Sequence, residues 1–260
     1  MDLLGGLVIA FSMYSRIPMP RIRWTKERIK YTLCFFPLVG VVMGIFLYGF
    51  GKGVEFFGLE DSLVYPAGGT VLPLLVTGGI HMDGFLDVAD ARASFGERQR
   101  KLEILKDPHV GAFAVIRAAV YLLIYLAVFS ELPLMGLPVM GAVYALTRAM
   151  SGLSVVAFPK AKKDGLAVSF AEKAGRKTVA AVMICYFVIC MVFLARYAGP
   201  VTAAVTGGAA VILFGRYYRI AVKEFGGMNG DLAGWFLQTA ELWLMAAAVV
   251  LFRTGQEAIR

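Results

Sequence analysis

Charged residues are scarce in this chain of 260 residues, at 17% of the total, and histidine and cysteine occur only two and three times. Soluble domains are about 25% charged and about 45–50% apolar, whereas this chain is 59% apolar with a mean hydropathy of +0.71. The shortage of charge excludes a disordered chain and argues against a water-soluble globule. The odd cysteine count, with every cysteine in an apolar run, disfavours a disulfide framework.

Long apolar runs predict that the chain crosses a bilayer repeatedly, because a spanning helix needs about 20 apolar residues, within a range of about 17–25. Seven runs qualify, and the last three contain one charge each: 33–50, 62–80, 178–195, 197–215, 110–130, 132–159 and 232–252. The run 3–15 is shorter and predicts an interfacial or re-entrant helix. The predicted fold is therefore all-α, a polytopic integral membrane helix bundle of about seven spanning helices plus this N-terminal helix, in a single membrane domain over residues 1–260.

The basic residues fall mainly on one side of the membrane if the seven spans alternate. Formal net charge is +8, from 26 Lys and Arg against 18 Asp and Glu. The loops that hold 21 of these 26 basic residues are 1–30, 81–109, 148–177 and 216–231. Because cytoplasmic loops are enriched in Lys and Arg, this side is predicted to face the cytoplasm. A nucleic-acid partner is disfavoured, since no basic patch with interleaved aromatic residues lies outside these loops.

The most informative segment is residues 81–92, HMDGFLDVADAR, which directly follows the second apolar run. Asp83, Asp87 and Asp90 are spaced four and then three apart, so a helix places them on one face. Like charges on one face repel one another, and a bound cation relieves that repulsion. Carboxylate oxygens suit Mg²⁺, Mn²⁺ or Ca²⁺ rather than zinc. The segment therefore predicts a metal site, against the alternative of a solvated acidic helix face.

Basic residues complement these acids in the predicted active-site loop and helix at 81–109. Protein-bound Mg²⁺ is usually held by a few carboxylates together with substrate phosphates, and Arg and Lys side chains bind phosphate. Acids for a metal beside bases for phosphate predict phosphoryl-transfer chemistry. The basic residues of this loop are Arg92, Arg98, Arg100, Lys101 and Lys106.

Both histidines and one N-terminal arginine are further candidates. His81 opens the acidic segment and is a candidate general base or a hydrogen-bond donor to a phosphate. We interpret His109 as part of the loop structure. Arg16 precedes Pro18, which ends the predicted N-terminal helix, so that the arginine side chain faces the interface.

Two polar features accompany the last predicted span. The Gly-rich turn at 225–231 offers backbone amides for a phosphate, and Asp231 either completes a metal shell or caps the helix that follows. Glu241 lies inside the span itself. An intramembrane carboxylate is a functional candidate that needs a partner, for which Arg117 and Arg148 are available.

Several segments, in order along the chain, resemble the cobalamin synthase (adenosylcobinamide-GDP ribazoletransferase) family. The most specific is GGIHMDGFLDVADA at 78–91, and the similarity covers essentially the whole chain. The other matching segments are SRIP at 15–18, FPLVG at 36–40, LEILKD at 102–107 with Gly111, GLAVSF at 165–170, and GGMNGD at 226–231 with Glu241. Departures from the family pattern affect the expected phosphate and nucleobase contacts, and they occur at Gly96, Pro108, Asn229 and Gln238.

The resemblance implies a reaction at the cytoplasmic face of a prokaryotic inner membrane, with Mg²⁺ as cofactor. A hydroxyl of α-ribazole or of its 5′-phosphate attacks the cobinamide-attached phosphorus of adenosylcobinamide-GDP, GMP leaves, and adenosylcobalamin or its 5′-phosphate forms. The partners are these substrates and the lipid bilayer, with a homo-oligomer left open.

The residues expected to carry this reaction fall into three groups. The catalytic group is His81, Asp83, Asp87 and Asp90. The metal ligands are Asp83, Asp87 and Asp90, with Asp107 and Asp231 for a second ion. The substrate-binding residues are Arg16, Arg98, Arg100, Lys106, Asn229 and Asp231.

Two other functions are the alternatives. A CDP-alcohol-type membrane phosphotransferase also relies on an Asp-Gly-x-x-Ala-Arg motif, but here Asp87 follows Asp83-Gly84, and no second Asp-x₃-Asp pair lies downstream. A membrane transporter would place its charged site near the midplane, between broken helices. The acids here follow Ile80 at the predicted membrane boundary, which favours an enzyme.

Overall fold

A computed structural model of the chain describes residues 2–161 and 175–257, which form helices and turns without a β-strand. Apolar runs become helices in a bilayer because a helix satisfies its own backbone N–H and C=O groups. In chain order the α-helices are α1 (Leu3–Tyr14), α2 (Lys26–Ile29), α3 (Phe36–Phe56), α4 (Val64–Thr77), α5 (Ile80–Ala93), α6 (Arg98–Ile104), α7 (Ala112–Ser130), α8 (Leu137–Ala157), α9 (Arg176–Tyr197), α10 (Pro200–Phe225) and α11 (Gly230–Glu257). The matching segment at 165–170 lies outside the described residues.

Among residues 2–161 and 175–257, five helices are long and apolar enough to cross a bilayer, namely α3, α7, α8, α9 and α11, which indicates an integral membrane protein. A sixth crossing results if the bent pair of α4 and α5 counts as one span. The predicted number of about seven is therefore higher than length and composition support in the described residues. The predicted span missing from this set is 197–215, which corresponds to α10. The last turns of α10 carry Arg216, Arg219, Lys223 and Glu224 and are correspondingly less apolar.

Helix α10 nevertheless runs from one end of the bundle to the other. Just before its start, the Tyr197 hydroxyl donates to the Met135 carbonyl in the turn before α8. In its last turn, Glu224 pairs with Lys101 of α6 at 2.8 Å. The described parts of the four basic loops meet at this second end, termed the basic end, and the turns around Met135 mark the opposite end. Helix α10 therefore connects the two ends as well.

Helices α4 and α5 meet at an elbow formed by Gly78 and Gly79. The predicted span 62–80 is wrong in its extent, because α4 ends at Thr77 and the axis of α5 is turned by 97°. Both glycines have positive φ angles, 63° and 78°, a conformation that costs a residue with a Cβ about 1–2 kcal/mol. The elbow turns α5 across the basic end of the bundle.

Close packing of small residues joins α3 to α8 in the middle of the bundle. A Cβ on Gly40 would collide with the Tyr144 carbonyl oxygen, and a Cβ on Gly44 would lie 2.5 Å from the Cα of Gly141. The four-residue spacing of Gly40 and Gly44 thus lets two helix backbones approach each other. Helix α1, with 12 residues, is too short to span a bilayer, as its sequence predicts.

Candidate active site

Three carboxylates lie on one face of α5, as their spacing predicts. Asp83 is exposed, and Asp87 and Asp90 are half-buried. The apolar face of the same helix is buried in the protein through Val88 and Ala91. Helix α5 therefore rests on the bundle with one side and presents its acids at the basic end with another.

A fourth carboxylate joins them because α5 rests directly on the first turn of α11. A Cβ on Gly84 would lie 2.7 Å from the carbonyl oxygen of Asp231, so only glycine permits this approach. Burial, followed by the charges of Asp231, Asp83 and Asp90, raises the pKa of Asp87 to about 6. These four aspartates form one electrostatic group, termed the carboxylate cluster.

The carboxylate cluster has the donor chemistry of a Mg²⁺ site but not the ligand distances of a closed one. Within residues 2–161 and 175–257, no three acidic, histidine or cysteine side chains meet closely enough to hold an ion. All donors in the cluster are carboxylate oxygens, the ligands that Mg²⁺ prefers. The raised pKa of Asp87 reflects first its burial and then the charges of the neighbouring carboxylates, and a bound cation offsets that second cause. By its chemistry the cluster therefore fits a hard divalent cation.

Asp107, expected as a metal ligand, lies apart from the carboxylate cluster. Its carboxylate accepts a hydrogen bond of 3.0 Å from the backbone N–H of His109 and lies 2.7 Å from Nδ1 of the same residue. These hydrogen bonds hold the pKa of Asp107 below its usual value. The structure does not bring Asp107 to the other carboxylates, and His109 has the loop position that its sequence context indicates.

His81 is also separated from the carboxylates. Its ring is 4% exposed and packs against Tyr14 and Phe36, with ring centroids 6.1 and 5.8 Å apart. Two residues along a helix correspond to opposite sides, so His81 and Asp83 point in different directions. The Nε2 atom is buried without a hydrogen-bond partner among the described residues. This placement does not support the general-base role predicted for His81.

The basic residues of 81–109 divide into three sets, two of which contact other parts of the bundle. Arg98 lies over the Gly-rich turn, where a Cβ on Gly226 would be 3.2 Å from its Nη1. Arg92 and Lys101 instead bind Glu224, with two bonds of 3.1 Å and one of 2.8 Å. They join α5 and α6 to α10 and are not free phosphate ligands. Sequence reasoning missed Glu224, although an acid within a basic loop was an available signal.

Two other predicted phosphate ligands lie in solvent. Arg100 is exposed and pairs with Glu103 at 3.4 Å, and Lys106 is exposed on the turn after α6. The structure brings neither of them into contact with the carboxylate cluster.

The Gly-rich turn is held by the protein itself. Oδ1 of Asn229 accepts a bond of 2.8 Å from the N–H of Leu232 and so caps α11, the role that sequence reasoning considered for Asp231. The N–H groups of residues 226–228 all donate to backbone carbonyls. These three amides therefore do not provide the predicted phosphate cradle. The Nδ2 atom of Asn229 is buried without a partner in the described parts of the chain.

The intramembrane carboxylate has the partner that its burial requires. Glu241 pairs with Arg148 at 2.7 Å, and both side chains are almost fully buried. Thr147 donates to the same carboxylate oxygen, and Arg148 also donates to the Tyr144 carbonyl. Of the two expected partners, the structure selects Arg148. The pair joins α8 to α11 within the bundle.

A cavity of about 790 Å³ opens beside α5, between the segment that follows α1 and the Gly78–Gly79 elbow. Arg16 and Asp83 both line it. The backbone N–H of Arg16 donates to the Val76 carbonyl at 2.8 Å, and its side chain lies against Gly78. A predicted substrate ligand thus shares a cavity with one member of the carboxylate cluster.

Comparison with known proteins gives matches along the whole chain. Residues 6–249 match the model of a family described as cobalamin-5-phosphate synthase. Relatives named adenosylcobinamide-GDP ribazoletransferase include one from Lachnoclostridium phytofermentans, which is 41% identical over 98% of this chain and 99% of its own length. Those from Pseudomonas savastanoi pv. phaseolicola and Geobacillus kaustophilus are 33% and 29% identical, over 96% and 95% of this chain and 97% and 98% of their own lengths. No solved structure matches the chain.

Proposed function

This chain belongs to the cobalamin-5-phosphate synthase family, and we propose on that premise that its carboxylate cluster carries out the family's reaction at the basic end. The reaction transfers the phospho-adenosylcobinamide group of adenosylcobinamide-GDP to α-ribazole or α-ribazole 5′-phosphate. GMP is released, and adenosylcobalamin or its 5′-phosphate forms in the last assembly step of cobalamin. The observation that supports the role of the cluster is the packing of α5, with Asp83, Asp87 and Asp90 on one face, against the first turn of α11 at Asp231.

The residues divide the work of phosphoryl transfer among them. Asp83, Asp87 and Asp90, with Asp231, would hold Mg²⁺, and that ion would supply charge neutralisation for the diphosphate and for the departing GMP. A carboxylate of the cluster accepts the proton of the attacking ribose hydroxyl. Arg98 binds a phosphate oxygen beside the Gly-rich turn.

The proposed location of this chemistry is the cytoplasmic face of a prokaryotic inner membrane. The excess of Lys and Arg in the loops of the basic end supports this orientation. The elbow supports a position at the membrane boundary, because it turns the axis of α5 by 97° from that of α4.

The test compares three asparagine variants in membranes supplied with adenosylcobinamide-GDP, α-ribazole and Mg²⁺. We expect Asp83→Asn and Asp87→Asn to lower GMP release at least about 100-fold, as when one group that stabilises transition-state charge is removed. Asp107→Asn is the matched control, since its carboxylate lies outside the cluster, and it should keep most of the activity. Wild-type activity in either cluster variant would refute the assignment, as would activity that is indifferent to Mg²⁺ and to its removal by a chelator.

A further inference from the structure

We propose that the cavity beside α5 binds the acceptor nucleoside and that Arg16 binds the 5′-phosphate of that acceptor. The inference rests on the proposed function, and it assigns the two substrates to different sides of the carboxylate cluster. The acceptor approaches from the α1 side, and the guanine nucleotide lies on the side of the Gly-rich turn.

The cavity matches the acceptor in size and chemistry. Small-ligand sites are apolar clefts of about 300–1,000 Å³ with a few polar groups, and this one measures about 790 Å³. That volume suits a benzimidazole nucleoside, whereas a corrinoid carrying GDP is far larger. Flexible methionine side chains adapt to a flat aromatic ring. The apolar residues that line the cavity are Met13, Ile17, Met19, Leu74, Ile80, Met82 and Leu86.

The charges of the cavity match the two ends of the acceptor. Among its described lining residues, Arg16 is the single cation and Asp83 the single anion. The hydroxyls of Ser12, Ser15 and Thr77 donate to backbone carbonyls of their own helices. Arg16, which has no ion pair in the described residues, is thus the group available to a phosphate. An acceptor held this way places its phosphate at Arg16 and its ribose towards Asp83.

The faces of α5 indicate which side of the carboxylate cluster the guanine nucleotide occupies. Met82 and Leu86 face the cavity, whereas Gly84 packs on Asp231 at the start of α11. At 100° per residue, the three acids of α5 lie between these two faces. The guanidinium of Arg98 lies beyond the Gly84 side, over the Gly-rich turn. The carboxylate cluster therefore separates the acceptor cavity from a cationic side chain suited to the diphosphate.

This division satisfies the geometry of the reaction. In phosphoryl transfer the attacking and leaving oxygens are roughly in line on opposite sides of phosphorus. The ribose oxygen forms its bond to the cobinamide-attached phosphorus from the cavity side. The bond from that phosphorus to GMP breaks on the other side, and GMP keeps the electron pair. The hydroxyl proton passes to a carboxylate of the cluster.

The experiment measures KM for each substrate in the Arg16→Ala variant. We expect KM for α-ribazole 5′-phosphate to rise about tenfold or more, the loss of a charge-assisted hydrogen bond. KM for α-ribazole and for adenosylcobinamide-GDP should stay near the wild-type values, and Arg16→Lys should restore part of the phosphate preference. Arg21→Ala is the matched control, because this exposed arginine of the same segment does not line the cavity, and its KM values should match the wild type.

A second variant tests the cavity apart from the charge. Met82→Trp reduces the volume of the cavity, so it should raise KM for both acceptors and leave KM for adenosylcobinamide-GDP unchanged. A rise in KM for adenosylcobinamide-GDP in either variant, or an equal effect of Arg16→Ala on both acceptors, would overturn the assignment. If wild-type protein releases no GMP, the proposed function itself fails. An active wild type whose Arg16→Ala variant shows no acceptor selectivity refutes only this inference.

Discussion

Arg148 and Glu241 illustrate how a single buried pair contributes to this membrane bundle. Both side chains are almost fully buried at a separation of 2.7 Å, so neither charge has water to solvate it. The attraction between the two charges and their hydrogen bonds to Thr147 and Tyr144 offset this desolvation. Each side chain therefore stabilises the protein mainly by neutralising the buried charge of the other.

We predict that removing one member of the pair destabilises the protein more than removing both. Glu241→Leu leaves Arg148 buried and unpaired, which costs about 3–5 kcal/mol, and the double variant Arg148→Met/Glu241→Leu should recover a large part of the loss. Thermal unfolding in detergent provides the measurement. As a control, Glu55→Gln breaks the exposed pair with Lys52 and should leave Tm nearly unchanged. The prediction would be contradicted by a double variant whose loss of stability equals the sum of the losses in Arg148→Met alone and Glu241→Leu alone.

Local spacing explains why the sequence correctly places three aspartates on one helix face. Asp83, Asp87 and Asp90 share a face because helix geometry depends only on positions within two turns. The same geometry already separates His81 from them, and adjacency in sequence was a misleading guide to its role. The ion pairs of Glu224 with Arg92 and Lys101 depend on how α10 packs against α5 and α6, and no local sequence pattern specifies that packing.

Helices α3 and α8 show the same limits at the scale of elements. The four-residue spacing of Gly40 and Gly44 predicts a close helix contact, but the partner helix and its Gly141 are known only from the packing. The elbow between α4 and α5 was missed because hydropathy continues across Gly78 and Gly79. Hydropathy does not depend on the φ angle, so it does not reveal where the chain turns. The two adjacent glycines were the sequence signal for the turn.

We predict that Gly40→Ala separates α3 from α8 and lowers stability by about 1–3 kcal/mol, the usual effect of overpacking a tight contact. The added methyl group would meet the Tyr144 backbone, which cannot rotate away as a flexible side chain would. Gly49→Ala in the same helix is the matched control, because a Cβ there has no neighbour within 4 Å. Denaturation in detergent should place Gly49→Ala at or above the wild type. Equal stability of the two variants would show that the contact tolerates a methyl group.

At the scale of the whole molecule, charge distribution is the feature that the sequence predicts best. The described loops that carry most of the Lys and Arg meet at one end, beside the carboxylate cluster. The number of spans is harder to predict, because α10 crosses the bundle while its last turns are charged. Composition measures only how apolar a segment is. Whether a helix crosses the bundle depends on where its two ends lie.

We predict that the basic end faces the cytoplasm, and cysteine labelling measures this directly. In a variant without Cys34, Cys185 and Cys190, single cysteines are placed at Gln99 near the basic end and at Asp61 near the opposite end, both of which are exposed. A membrane-impermeant maleimide should label Asp61→Cys in intact cells and Gln99→Cys only after lysis. The reverse pattern would mean an inverted orientation and would place the carboxylate cluster outside the cytoplasm.

The elbow also restricts how the gene can vary. Every single-nucleotide change of a glycine codon that replaces the glycine with another amino acid introduces a residue with a Cβ. At Gly78 and Gly79 each such residue would enter the left-handed region, at about 1–2 kcal/mol per position. At Gly78 it would also displace the Arg16 side chain. Missense changes in these two adjacent codons therefore affect both the direction of the acidic helix and the wall of the neighbouring cavity.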